Sequence, residues 1–166
     1  ADYLNTRSAQ KFNFVRMFSS GYWSTNVNPG VAAADAWAWG GTASSPNYDQ
    51  FNLQFFHRLE AILGELKTKG MYAEILIFNY YSKPFTDPTI WTTARQDRWA
   101  QYLIARLASD TTVFLWTVTN EYDTYPDGIY THTTSDDTWA KNMGTLFHNE
   151  DPHKHPTTVH SMSTAP

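Results

Sequence analysis

The 166 residues carry 12 Lys and Arg against 16 Asp and Glu, a formal charge of −4. With no basic cluster, nucleic acid and anionic membrane are set aside as partners, and no apolar stretch is long enough to span a membrane. Cysteine is absent, which excludes disulfides and thiolate metal sites.

Tyr3 to Gln10 reads as the tail of a helix, and Phe12 to Phe18 as a strand. A Gly, Asn, Pro and Ala-rich loop from Gly21 to Pro46 follows, too long for a bare connection, with a short helix near Ala32–Trp37. Tyr48 to Lys69 reads as a helix, because Phe51, Phe55, Leu59, Ile62 and Leu66 recur at spacings of three and four and Gly70 makes a suitable stop. Met71 to Phe78 is the next strand. Asp87-Pro88 then opens a helix, with Asp as N-cap and Pro in the first turn. It runs to about Ala108, with Trp99, Tyr102, Leu103 and Leu107 turned inward. Thr112 to Thr119 is a strand, and Tyr122 to Thr134 a loop. Ser135 or Asp136 caps a helix carrying Trp139, Met143, Leu146 and Phe147. Thr157 to His160 is a last short strand.

Apolar strands alternating with helices mean a parallel sheet covered by helices. No Gly-rich phosphate loop follows any strand, which removes the usual nucleotide-binding signature. The loops after strands are long and aromatic, while those after helices are short, and that asymmetry is the (β/α) barrel pattern. No repeat or low-complexity linker divides the chain, so 1–166 reads as a single partial barrel domain with a real core. No signal-peptide pattern opens it, and the start at Ala1 reads as that of a processed or excised chain.

The most informative stretch is Thr117-Val118-Thr119-Asn120-Glu121-Tyr122. The apolar run Val113-Phe114-Leu115-Trp116 leads into it, so a buried strand ends by presenting an amide beside a carboxylic acid. An acid at the rim of an apolar barrel can have its pKa raised and act as a general acid, and the amide can bind a sugar hydroxyl. That is the equipment of a retaining glycoside hydrolase. Aromatic residues make up 16 % of the chain, with 7 Trp, 10 Tyr and 10 Phe. Tyr22, Trp23, Trp37, Trp39, Tyr80, Tyr81, Trp91, Tyr122, Tyr125 and Tyr130 fall outside any apolar periodicity. Such rings either stack on sugars from exposed loops or cover a small core or partner surface.

From Phe51 to Ser161 the chain resembles the apiosidase-like, clan-A type glycoside hydrolases. Gly70 to Phe78 resembles their third barrel strand, Asp97 to Ala108 the helix after it, and Val113 to Asp123 the fourth strand with its Asn-Glu signature. Glu150 to His155 and Thr157 to His160 resemble the turn into strand five, and Phe14-Val15-Arg16 resembles strand two. The resemblance implies Glu121 as general acid/base, Asn120 on the hydroxyl beside the anomeric carbon, and Arg16 bracing the floor of the site. Trp23, Asn79, Tyr80, Tyr122 and His160 complete the expected sugar-binding set. It also implies a secreted or periplasmic setting. Relatives tend to end strand three with a His-Pro-Tyr-Asp-like run, where this chain has Asn79-Tyr80-Tyr81-Ser82, so sugar specificity does not carry over.

A full barrel takes about 250 residues, so the expectation is a truncated (β/α) TIM-type barrel running from strand two to strand five. The strand-seven nucleophile of such enzymes has no counterpart here. Asp123, Asp127, Asp35 and Glu74 are the other carboxylates in reach. Asp123 reads as a loop cap, and Glu74 as an inward-pointing partner for Arg16. Two open sheet edges would invite pairing between two copies of the chain. His148, His153, His155 and His160 read as loop histidines, so no metal and no cofactor is expected. His57, in a helix, reads as packing or surface. No Gly-x-Ser-x-Gly elbow supports a serine hydrolase, and Tyr122 to Gly128 does not match a calcium loop. The expected partner is a carbohydrate. A catalytically inactive carbohydrate-binding or assembly module is the second reading, and sugar binding without turnover would select it.

Overall fold

Short apolar strands need their buried faces covered, and the amphipathic helices between them supply the cover. The computed structural model describes residues 2–21, 37–42, 45–79, 84–85, 87–121 and 133–161. In chain order the elements are α1 (Asp2–Ala9), β1 (Phe14–Phe18), β2 (Trp39–Gly41), β3 (Pro46–Phe51), α2 (Leu53–Thr68), β4 (Tyr72–Phe78), α3 (Thr93–Leu107), β5 (Val113–Thr119), α4 (Thr134–Glu150) and β6 (Thr157–Thr158). β1, β4, β5 and β6 form a parallel sheet in that order. This is the architecture of a truncated (β/α) barrel. No described helix is long and apolar enough to cross a membrane.

One face of the sheet is dry. Ala73, Ile75, Ile77, Val113, Trp116 and Val118 are buried there against Phe56, Leu59, Leu63 and Leu66 of α2, Trp99, Leu103 and Leu107 of α3, and Met143 and Phe147 of α4. The Trp99 indole also donates to the Ile77 carbonyl at 3.0 Å, fastening α3 to β4. The opposite face is open. Phe14, Phe18, Tyr72 and Phe114 are exposed on it, and Phe14 and Phe114 meet edge to face at 5.7 Å. In a closed barrel this face is the packed interior. Between its aromatic residues runs a polar row: Arg16 Nε stands 3.1 Å from Glu74 Oε1, which also accepts from the Thr117 hydroxyl at 2.5 Å. The expected Arg16–Glu74 partnership is therefore present, on adjacent strands in register.

Several expected boundaries differ. Pro46–Phe51 is the strand β3, antiparallel to β2, and α2 begins only at Leu53, with the Asn52 side chain capping the Gln54 N–H at 3.2 Å. Asp87 opens a turn rather than a helix: its carboxylate accepts from the Thr89 N–H and hydroxyl, and α3 starts after Thr92. Thr133 rather than Ser135 or Asp136 caps α4, and Asp136 answers it as the acid of a capping box. The helix expected near Ala32–Trp37 lies outside the described residues except for Trp37, which makes an antiparallel bridge with Gly21.

Of the rings expected in loops, three of those described are buried. Trp37, Trp39 and Trp91 are 2 %, 1 % and 3 % exposed. Trp39 touches Trp37, Tyr48, Phe85, Trp91 and Trp99 at centroid distances from 4.8 to 5.8 Å. This cluster glues the β2–β3 hairpin to α3, and a two-pronged Arg95–Asp49 pair at 2.9 and 2.7 Å clamps the rim. The Arg95 guanidinium holds the Asp49 carboxyl below the usual carboxylate range.

Gly70 ends α2 as expected. Its N–H reaches the Lys67 carbonyl at 3.1 Å, the Met71 N–H reaches that of Leu66 at 3.0 Å, and its φ is 66°, the pattern of a Schellman stop. Nothing lies within 4 Å of where a Cβ would stand. The expected cost of Gly70→Ala is therefore the left-handed backbone alone, about 1 kcal/mol, and a chemical-denaturation curve measures it. An unchanged midpoint would refute this.

Candidate active site

Each parallel strand ends at the same edge of the sheet, and polar side chains gather there. β1 runs into Ser19 and Ser20, β4 into Asn79, β5 into Asn120 and Glu121, and β6 into Val159 and His160. These residues stitch the strand ends together. The Ser19 hydroxyl donates to the Leu76 carbonyl at 2.7 Å. Asn79 Nδ2 donates to Ser20 Oγ at 3.4 Å, and Ser19, Ser20 and Asn79 are all buried. The Thr119 hydroxyl and the Asn120 N–H both donate to the Phe78 carbonyl, at 3.1 and 3.3 Å. The His160 N–H donates to the Thr119 carbonyl at 3.2 Å, which carries the β5–β6 pairing past the last strand residue.

Glu121 stands where this ladder stops. Its φ is 55°, in the left-handed region that costs a non-glycine residue about 1–2 kcal/mol. The turn swings its N–H out of the ladder and toward His160, whose Nδ1 accepts it at 3.3 Å. Strained residues of this kind cluster at functional sites. Glu121 is half-buried and Asn120 is 8 % exposed.

The structure thus brings Asn79, Asn120, Glu121 and His160 to one end of the sheet. Arg16 is placed in a lower layer, at the level of Glu74, whose register partner on β5 is Leu115. Trp23, Tyr80 and Tyr122 lie outside the described residues, as do Asp35, Asp123 and Asp127. The sequence reading did not single out Ser19 and Ser20, although two serines directly after an apolar strand are a signal for hydroxyls at its C-terminal end.

His153 and His155 are engaged elsewhere. Asp151 is fully buried and accepts from the Trp116 indole at 2.8 Å, from His155 Nδ1 at 2.7 Å, and from the N–H groups of His153 and His155 at 2.8 and 3.1 Å. The His153-Lys154-His155 run is thus a turn folded around a carboxylate. Among the described residues, no group of three or more His, Asp or Glu is placed to hold a metal ion. An open groove that Glu121 does not line runs between α4 and β6, bordered by Lys141, Gly144, His148, Pro156 and Thr158 among others.

Comparison with known proteins bears on the family and the fold. The family model described as apiosidase-like, catalytic domain, matches residues 1–166. No match was found among curated proteins. Among solved structures, a putative glycoside hydrolase of Bacteroides vulgatus is 23 % identical, with a TM-score of 0.72 over 98 % of this chain and 32 % of its own. A family 5 mannosidase of Rhizomucor miehei is 11 % identical, with a TM-score of 0.67 over 99 % of this chain and 45 % of its own. A β-1,4-D-mannanase of Cryptopygus antarcticus is 16 % identical, with a TM-score of 0.57 over 98 % of this chain and 49 % of its own. At these identities the likeness is one of fold. The chain spans 32–49 % of the length of these structures.

Proposed function

The chain belongs to the apiosidase-like catalytic domain family, and we propose that it works as a glycoside hydrolase on a poly- or oligosaccharide, with Glu121 as general acid/base. The observation that carries this reading is the carboxylic acid at the C-terminal end of β5, on a left-handed residue whose N–H is held by a ring from the next strand. Barrel enzymes carry their chemistry at that end of the strands. Glycosidic cleavage needs a proton on the departing oxygen, and Glu121 would deliver it. Asn120, beside it, would bind a neighbouring hydroxyl. A second carboxylate is also needed, about 5–5.5 Å away for retention and about 6.5–9.5 Å for inversion. Asp35, Asp123 and Asp127 are the candidates left by the pairing of Glu74 with Arg16 and Thr117.

The test is the purified chain on apiosides, β-1,4-mannans and a panel of aryl glycosides, with sugar binding followed by calorimetry. Turnover supports the reading, and the anomer first released, seen by proton NMR, gives the stereochemistry. Binding without turnover would replace it with a carbohydrate-binding module, and neither would overturn both.

A further inference from the structure

We infer that His160 is the positioning residue for Glu121: its unprotonated Nδ1 holds the Glu121 backbone N–H and so fixes where the carboxylic acid stands. The inference rests on the proposed role of Glu121 and adds a residue to it. Its basis is a two-point contact. The His160 N–H donates to the Thr119 carbonyl at 3.2 Å, which sets the height of residue 160 against β5. The His160 ring then accepts from the Glu121 N–H at 3.3 Å. Residue 121 has left the ladder: its N–H meets the ring instead of a strand carbonyl, and its φ of 55° turns the side chain and the chain that follows away from the strand direction. A half-buried N–H without an acceptor is costly, about 1–3 kcal/mol, and the left-handed backbone adds to the cost. The imidazole relieves the first and so helps to hold residue 121 where the second is found. Without it, that N–H loses this acceptor and the carboxylic acid loses the restraint the contact places on its backbone.

The contact also specifies the ring. A nitrogen that accepts an N–H carries no proton, so the neutral ring must hold its proton on Nε2. Neither a charged imidazole nor the other tautomer makes this bond. An asparagine side chain places its Oδ1 where histidine places Nδ1, at the same number of bonds from Cα. A glutamine places its oxygen one bond further, in the position of Nε2. The Asn variant therefore separates a backbone latch from a ring that merely fills space.

The experiment uses the whole chain, labelled with 15N, and three variants: His160→Ala, His160→Asn and His160→Gln. Long-range proton–nitrogen spectra at neutral pH should show His160 as the Nε2–H tautomer, and the Glu121 amide signal should shift in the Ala and Gln variants and return in Asn. On a substrate the chain turns over, His160→Ala should lower kcat by about 10²-fold, the loss expected of a displaced catalytic group, with KM little changed, and His160→Asn should recover most of it. A proton on Nδ1, or Asn and Ala variants that behave alike in both measurements, would overturn the inference. If no substrate is turned over, the proposed enzyme activity fails, while the tautomer and the Glu121 amide still decide whether the latch exists.

Discussion

Glu121→Gln is expected to lower turnover of unactivated glycosides by about 10²–10⁴-fold. The amide keeps the size and backbone preferences of the acid, so the left-handed turn and the contact with His160 should persist. What it lacks is a proton to give. The signature is the dependence on leaving group. A dinitrophenolate departs without help, so kcat/KM, which reports that departure, should fall little on a dinitrophenyl glycoside and by the full factor on a natural sugar or alkyl glycoside. An equal loss on both kinds of substrate would remove Glu121 from the role of general acid. Stability should move independently of activity. Glu121→Gly and Glu121→Ala both delete the carboxylate, so the difference between them isolates the backbone. Glycine should be the more stable by about 1 kcal/mol, or about 2–4 °C in Tm for a chain of this size. An alanine variant as stable as the glycine one would mean that the turn is not strained.

Elements whose evidence is local were legible in the sequence. The strands Tyr72–Phe78 and Val113–Thr119 announce themselves as apolar runs, and the inner faces of α2 and α3 as residues at spacings of three and four. The (β/α) barrel pattern follows from their alternation and from the long loops after strands, and its truncation from the resemblance, which covers strands two to five only. The Arg16–Glu74 pair was legible because both residues interrupt apolar strands, and an isolated charge in such a strand needs an opposite one beside it.

What failed was evidence with two physical meanings. Asp followed by Pro favours a helix start and a tight turn for the same reason: a carboxylate that accepts nearby backbone N–H groups. At Asp87 the turn won. At α4 Asp136 has the chemistry of a cap but sits three residues after the real one, Thr133, whose N–H it answers. Tyr48 and Phe51 match a helical spacing by coincidence. Their strand is decided by Trp39 to Gly41, a partner that no local pattern identifies. Trp37, Trp39 and Trp91 fall outside periodicity because Trp37 and Trp91, from separate segments of the chain, both pack on Trp39 rather than on one face of one element. The contact between His160 and the Glu121 N–H was invisible for a related reason: it joins a side chain to a backbone group 39 positions away.

The second large effect is expected at Asp151, away from the chemistry. Asp151→Ala should cost about 3–5 kcal/mol, the range for removing one partner from a buried charged cluster. The carboxylate is fully buried, and its removal would strand the Trp116 indole N–H, the His155 ring N–H and two backbone N–H groups. Burial pushes the Asp151 carboxyl up, but the Trp116 indole, the His155 ring and the N–H groups of His153 and His155 outweigh it and hold the carboxyl below its ordinary value. The sign of the pH effect follows. A carboxyl with a lowered folded-state pKa stabilises the fold fully above the unfolded value, about 3.9, and that contribution fades as pH falls through it toward the folded-state value. Urea unfolding of wild type and Asp151→Asn should therefore differ most near pH 7, and the gap should narrow below about pH 4. A gap that stays constant with pH would show that the charge contributes nothing. The consequence reaches the active site because Trp116 lies on β5, and its backbone N–H donates to the Pro156 carbonyl at 3.0 Å. Asp151 thereby fixes the turn that delivers β6, and β6 delivers His160 to Glu121. In Asp151→Asn, hydrogen exchange should accelerate at the β6 amides and at the Glu121 amide before it does in β1 or β4. Uniform acceleration across the sheet would argue that the turn and the Glu121 latch are not coupled.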